Sequence, residues 1–363
     1  MTTTDSLTSA LSAQIADHIH QNGGWLGFDR FMAAALYTPG LGYYANDSRK
    51  FGALPESGSD FVTAPELSPL FGQTLAVAVA EAFTHTGTHE IWEFGAGSGA
   101  LALQLLNALG DKVSRYTIVE LSGSLRERQQ TTLAAHAPKL QWASALPARI
   151  SGVVVGNEVL DAMPVQLLAR VGGIWYERGV ALHEGRLAWA DRPTALRPPL
   201  EIAGDHDYLT EIHPQAEAFI ATLADTLERG AAYLIDYGFP EAEYFHAQRH
   251  MGTLVCHRSH TMDSDPLADV GLKDITAHVN FTGMALAAQN AGLPVLGYTS
   301  QARFLMNCGL LDRLADASTA ERAMAQKLLT EHEMGELFKV MGFFKGAPWE
   351  PRGFAHGDRT HTL

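Results

Sequence analysis

The chain reads as an α/β protein built on a Rossmann-like, seven-stranded, mostly parallel sheet, and three observations predict it. Ile91-Trp92-Glu93-Phe94 is a short apolar run that meets Gly95, Gly97 and Gly99 and passes into the helix-favouring Ala100-Leu101-Ala102-Leu103, which is strand, tight turn and helix N-terminus. Gly152-Val153-Val154-Val155-Gly156 is a continuous β-branched run, as expected of a central parallel strand buried on both faces. Two further apolar runs, Arg115 to Leu121 and Ala232 to Gly238, close on the acids Glu120 and Asp236.

At 363 residues the chain exceeds one average domain, so a core with a substantial accessory part is expected. Apolar residues make up 46% and charged residues 18%, enough to bury a core and unlike a disordered chain. A net charge of -14 without a dense Lys/Arg run argues against a protein that tracks a nucleic-acid backbone. No apolar run approaches bilayer length, and the first residues lack the pattern of a targeting peptide, so a cytoplasmic protein without membrane insertion is expected. Cys256 and Cys308 are isolated and read as reduced, buried thiols, and the scattered histidines show no metal-ligand spacing.

The elements follow in order. Leu7, Leu11, Ile15 and Ile19 predict an amphipathic helix with Asp5 or Ser6 as N-cap, and Phe28, Phe31, Met32, Ala35 and Leu36 predict a second that ends at Tyr37-Thr38-Pro39-Gly40. The stretch from 46 to 58 reads as a mobile loop. Thr63, Pro65 and Glu66 form a helix-start signal, with Glu66 as capping-box partner. A helix over Leu75 to Phe83 precedes the glycine turn; a helix from Ser122 to Ala135 and a strand at Leu140-Gln141-Trp142 follow Glu120. After Gly156 comes Asn157-Glu158-Val159-Leu160-Asp161, at a strand's carboxyl end where open α/β sheets bind ligands; Asn157 and Glu158 could simply cap the next turn, but two acids bracketing a hydrophobic pair at the strand end favour a functional role. Short alternating runs with breaks at Gly172-Gly173 and Glu184-Gly185 predict a β-meander inserted at about 165–207.

Ala216, Phe219, Ile220, Leu223 and Leu227 mark a helix closed by Gly230. Thr253 to Cys256 is a short strand, and His257 to Gly271 reads as a polar loop. A helix around Phe281 to Ala288, a sixth strand at Pro294 to Tyr298, broken helix over 304–333 and a last strand at Phe338 to Phe344 complete the core. The organisation expected is a helical lid segment over 1–72, the core over 73–300, a helical insertion with the last strand over 301–347 and a polar, frayed tail over 348–363.

The glycine turn fits two patterns. Gly95, Gly97 and Ala100 satisfy the dinucleotide signature G-x-G-x-x-G/A, while Glu93, Gly95, Gly97 and Gly99 satisfy the acid-x-G-x-G-x-G turn of S-adenosylmethionine (SAM) enzymes. Glu93 separates them, because a carboxylate there favours the cationic amino and sulfonium region of SAM and offers nothing to a pyrophosphate. Glu120 is a ribose ligand on either reading, since one carboxylate can accept from both hydroxyls.

Asp60-Phe61-Val62-Thr63-Ala64-Pro65-Glu66-Leu67-Ser68, the Glu93 to Gly99 turn, Gly156 to Val165 and Ile235-Asp236-Tyr237-Gly238 together resemble the MidA family of SAM-dependent methyltransferases, over about Tyr37 to Phe344. The family includes the mitochondrial complex I assembly-factor methyltransferase. The resemblance implies a class I methyltransferase core, SAM as cofactor, and symmetric dimethylation of an arginine in a protein substrate, with a respiratory complex I subunit as the partner it suggests. It implies that Glu93, Gly95, Ala96, Gly97, Gly99, Glu120 and Leu121 hold SAM together with Asn157. Asp60, Thr63, Pro65 and Glu66 would close over the cofactor, and the Asn157 to Asp161 loop would face the substrate. No family contact with the adenine amine is matched beyond Ser144, which leaves that contact to the backbone. For the chemistry, Glu158 and Asp161 are the expected pair gripping a guanidinium, with Asp236 as substitute for either. The competing readings are an NAD(P)-dependent oxidoreductase, a small-molecule methyltransferase and a non-catalytic assembly protein on the same fold.

Overall fold

The structure, a computed structural model, describes residues 3–46, 63–258 and 261–363; most of the loop expected over 46–58, and Asp60, lie outside the described residues. The N-terminal part forms α1 (Thr3–Gln21), the two-residue strand β1 (Leu26–Gly27) and α2 (Phe28–Tyr37). Helix α1 begins ahead of Asp5 and Ser6, so neither caps it. Leu11, Ile15 and Ile19 of α1 and the Phe28, Phe31, Met32, Ala35 and Leu36 stripe of α2 are buried together with Leu167 and Val180 of the inserted meander. The two helices therefore pack on the insertion, and β1 pairs with it.

The description continues with α3 (Ala64–Leu67), α4 (Pro69–Thr86), β2 (Glu90–Phe94), α5 (Ala100–Leu109), β3 (Arg115–Val119), α6 (Gly123–Thr132), β4 (Leu140–Ala143) and β5 (Ile150–Asn157). The insertion is β6 (Gln166–Val171), β7 (Ile174–His183), β8 (Arg186–Pro193) and β9 (Tyr208–Ile212). Its two hairpin turns sit at Gly172-Gly173 and Glu184-Gly185, all four residues having positive φ. Then come α7 (Pro214–Thr226), β10 (Leu227–Phe239), α8 (Glu241–Tyr244), β11 (Val255–Arg258), β12 (Thr261–Asp263), β13 (Asp274–Thr276), β14 (Val279–Asn280) and α9 (Phe281–Asn290). The remainder is β15 (Val295–Ser300), α10 (Gln301–Asn307), α11 (Leu310–Asp316), α12 (Thr319–Leu329) and β16 (Phe338–Lys345).

The main sheet runs β15-β16-β10-β5-β2-β3-β4, with β14 beside the end of β10, so it has eight strands where seven were expected. Strands β2, β3, β4, β5 and β10 are parallel; β16 is antiparallel to both of its neighbours. One face is covered by α4, α5 and α10 to α12, the other by α7 and α9. Val153, Val154 and Val155 are all buried, as a strand between two helical layers requires, and each such side chain stabilises by about 2 kcal/mol.

Three other expectations are corrected. Gly230 does not close α7 but lies inside β10 at φ 141, where a Cβ would fall 1.7 Å from the Gly152 carbonyl oxygen; it is glycine because two backbones meet there. The stretch read as a loop, His257 to Gly271, carries β12 and the end of β11, which pair in a three-stranded sheet with β13. The tail is docked rather than frayed. Phe354 is buried over Gly297 and Gly342, where side chains would collide with its ring, and Arg359 pairs with Glu336. Among the described residues, no helix is long and apolar enough to cross a membrane.

Candidate active site

A cavity of about 1000 Å³ opens beyond the carboxyl ends of β2, β3, β5 and β10. Its first half is the glycine turn. Gly95 and Gly97 have φ 65 and 52, and a Cβ on Gly95 would lie 2.9 Å from Val159 Cγ2, so the chain here is bare where it faces the cavity. Gly99 does not line the cavity. At φ 87 it caps α5, and a side chain there would turn toward Leu133 and Gln129, so its role is helix start and packing.

Glu93 is buried, with the Tyr116 hydroxyl donating to its Oε2 at 2.8 Å. Burial and the nearby Glu120 push its carboxyl up to about 8 against that hydrogen bond. Glu120 lies at the end of β3 and accepts from the Ser122 amide (2.9 Å) and from Gln129 Nε2 (3.0 Å). Gln129, which sequence reasoning missed, also donates to the Gly97 carbonyl (3.0 Å) and accepts from Trp142 Nε1 (3.0 Å), tying turn, acid and β4 together. Leu121 beside it is 76% exposed and lines the cavity, an apolar face offered to a planar ligand group. Ser144 is exposed and does not line it.

Thr63, Pro65 and Glu66 reach the same half. Thr63 precedes α3 but makes no side-chain cap, and Glu66 is no capping-box partner: it accepts from Ser98 of the turn instead. Gln104 of α5 donates to the Pro65 carbonyl (2.7 Å) and accepts from the Gly72 amide (2.9 Å), so this segment is fastened to the cradle helix.

The second half of the cavity is acidic and aromatic. Glu158 sits in the left-handed region at φ 54, an unusual backbone for a non-glycine residue, and Asn157 Nδ2 donates to its Oε1 at 2.8 Å. Burial, then Asp161 and Asp274, push the Glu158 carboxyl up to about 8. Asp161 is likewise raised by burial, opposed by a hydrogen bond from Tyr237. Its Oδ1 and the Asn157 Oδ1 are buried without a hydrogen-bond partner among the described residues.

Asp236 corrects an expectation. It is fully buried behind this loop and does not line the cavity. Its Oδ2 accepts from the amides of Val159 (3.1 Å), Leu160 (2.9 Å) and Asp161 (3.2 Å), and its Oδ1 from Tyr237 (2.9 Å). Burial and the neighbouring Asp161 and Glu158 raise its carboxyl, and the amide bonds resist that rise. It positions the Glu158 to Asp161 turn and cannot stand in for either acid.

Other groups were not anticipated. Tyr37 donates to the Ala162 carbonyl (2.9 Å), and Tyr44 donates to Asp274 Oδ1 (2.9 Å) and Oδ2 (2.8 Å). Tyr237 and His278 meet edge to face at 4.9 Å, and burial lowers His278 to about 4, which leaves it neutral. Asp274 fell just past a stretch read as loop. A short alternating strand at Asp274-Ile275-Thr276 was the signal that could have found it.

Glu66, Glu93, Glu120, Glu158, Asp161 and Asp274 all line the cavity, and among the described residues no Lys or Arg does. Such a lining suits ligands with net positive charge, as SAM has, and opposes the pyrophosphate of a dinucleotide. Residues 74–299 match the family model of S-adenosyl-L-methionine-dependent methyltransferases. A COG1565 superfamily protein from Burkholderia thailandensis, solved bound to S-adenosyl-homocysteine, is 48% identical with TM-score 0.94, covering 99% of this chain and 97% of that one. Among curated relatives, the protein arginine methyltransferase NDUFAF7 of Homo sapiens is 28% identical over 86% of this chain and 77% of its own length. Its homologue in Caenorhabditis elegans is 26% identical over 93% of this chain and 87% of its own length. With a bare-backbone turn and a cavity lined by carboxyl groups in the matched region, the cofactor is S-adenosyl-L-methionine, and the chain belongs to the MidA-like family of S-adenosyl-L-methionine-dependent methyltransferases.

Proposed function

We propose that this methyltransferase acts on an arginine side chain of a protein, with Glu158 and Asp161 holding the guanidinium; a respiratory complex I subunit is the partner its sequence resemblance favours. One observation carries the reading: the buried Asp161 Oδ1 is without a hydrogen-bond partner among the described residues, in a chamber lined by Glu158, Asp161 and Asp274. A buried acceptor left unmade costs about 1–3 kcal/mol. A guanidinium, with five donors in a planar fork, is suited to satisfy it and its neighbour together. The curated relatives named protein arginine methyltransferases support the same choice.

Bound SAM supplies a methyl group on a sulfonium, an electrophile that needs no further activation. The chain's own part is positioning and proton control. Glu120 would accept the ribose hydroxyls, Leu121 would cover the purine, and the Gly95 to Gly97 backbone with Glu93 and Asn157 would hold the amino-acid end. Thr63, Pro65 and Glu66 would close that side. Glu158 and Asp161 would concentrate the guanidinium charge on the nitrogens they bind and orient a free one. The nitrogen that gains a methyl must lose one proton, and Glu158, bound beside it as a carboxylate, would take it.

The test is incubation of the protein with isotopically labelled SAM and a cell lysate, followed by mass spectrometry of the labelled products. Methylated arginine in a protein is expected. Label confined to lysine or to a small molecule would end the arginine assignment and leave the methyltransferase one intact.

A further inference from the structure

The acidic half of the cavity opens through an apolar mouth. Tyr37 at the end of α2, Met262 on β12 and Leu337 just ahead of β16 all line the cavity, yet they are 40%, 72% and 44% exposed. A side chain that both lines a cavity and meets solvent stands at its opening. Single apolar residues scattered over a surface are ordinary, but these three reach one opening from three elements far apart in the chain.

Each is held from behind. The Tyr37 hydroxyl donates to the Ala162 carbonyl at 2.9 Å, and its ring stacks on Tyr44 with centroids 5.7 Å apart. Met262 is paired across the β11–β12 hairpin with His257, another lining residue, while strand alternation sends the next side chain, Asp263, away to Lys273. Leu337 adjoins Phe338, whose ring meets Tyr237 edge to face at 5.3 Å. The collar is thus pre-formed, and a ligand that covers it has little to put in order.

Behind the collar lie Glu158 and Asp161, and among the described residues no Lys or Arg lines the cavity. The complementary occupant carries a cation into the chamber and lays apolar surface against the rim. A free amino acid or small cation would fill the chamber and leave the collar wet. Polar flanking groups would be desolvated against Tyr37, Met262 and Leu337 with nothing gained in return.

We infer that the collar of Tyr37, Met262 and Leu337 is a docking surface for a polypeptide segment whose target residue is flanked on both sides by apolar side chains. The enzyme then reads the neighbours as well as the target. The inference deepens the arginine reading and rests on it for the identity of the central side chain.

The experiment is calorimetric titration of the protein, saturated with S-adenosyl-homocysteine, against short acetylated peptide amides with a central arginine, flanked by leucines in one and by serines in the other. The leucine peptide is expected to bind about tenfold or more tightly than the serine peptide. Met262→Ser and Leu337→Ser, both at exposed positions, should each weaken the leucine peptide roughly threefold, and together about tenfold, leaving the serine peptide and S-adenosyl-homocysteine little changed. Equal binding of the two peptides, or a leucine preference that survives both substitutions, would overturn the inference and spare the arginine reading. A parent dimer that these substitutions dissociate, with both peptides bound alike, would assign the collar to a second copy and overturn it too. If a leucine-flanked lysine peptide bound as tightly as the arginine one, the arginine reading would fall and the collar would stand. A parent protein that binds S-adenosyl-homocysteine and no peptide would sink both.

Discussion

The cradle end of the cavity draws its main groups from one stretch of chain, Glu93 to Gln129, in which β2, a glycine turn, α5, β3 and α6 deliver them in order. The acid end gathers Tyr37 and Tyr44, the Glu158 to Asp161 turn, Tyr237, and Asp274 from parts of the chain up to 237 residues apart. The first is held by a parallel sheet and backbone geometry. The second is held by side-chain hydrogen bonds between the core, the N-terminal segment and a small accessory sheet. On the proposed function, the difference would make cofactor binding a property of the core and substrate selection a matter of how its additions dock.

The comparison breaks most sharply at Gly97. With φ 52 it stands where a β-branched residue is strained, and its backbone lines the cavity. Gly97→Val is expected to weaken S-adenosyl-homocysteine binding by roughly a hundredfold, read by calorimetry. Unchanged affinity would mean that the cradle is not where the cofactor lies. The next largest effect separates the two ends. Glu158→Gln should lower turnover by about a thousandfold while S-adenosyl-homocysteine affinity stays within about threefold. Affinity lost in step with turnover would move Glu158 to the cofactor end.

The smallest effect is in pH. Glu93 is raised in the folded chain to about 8, from an ordinary value of 4.5. Between those values the unfolded chain releases a proton that the folded chain keeps, so stability is full below pH 4.5 and declines as pH climbs toward 8. The melting temperature of the cofactor-free protein should therefore fall by a few degrees from pH 5 to pH 8. Glu93→Gln should remove part of that slope, and a slope identical in the variant would refute the buried-acid account.

The same division governs what could be read in advance. Strand, turn and helix at Glu93 to Leu103 were legible because local spacing specifies them, and Glu120 followed from the end of the next apolar run. Asp236 was visible as an acid at a strand end, but spacing cannot tell an acid facing a cavity from one turned inward to collect four backbone amides. Asp274 and Tyr44 were not legible, since nothing local states that two residues so far apart share a hydrogen bond. The docked tail was missed for a related reason: its composition is polar, and one aromatic, Phe354, supplies the anchor over two distant glycines.

Glu158 keeps a backbone shape that glycine would adopt freely, at a cost of about 1 kcal/mol to the fold. Glu158→Gly should accordingly melt higher than the parent while transferring nothing, and a lower melting point would remove the point. On the proposed role of Glu158, selection for durability and selection for reaction would pull this position in opposite directions. In a descendant retained only as a scaffold, the turn would be free to relax, so the residue found there reports whether the chemistry is still in use.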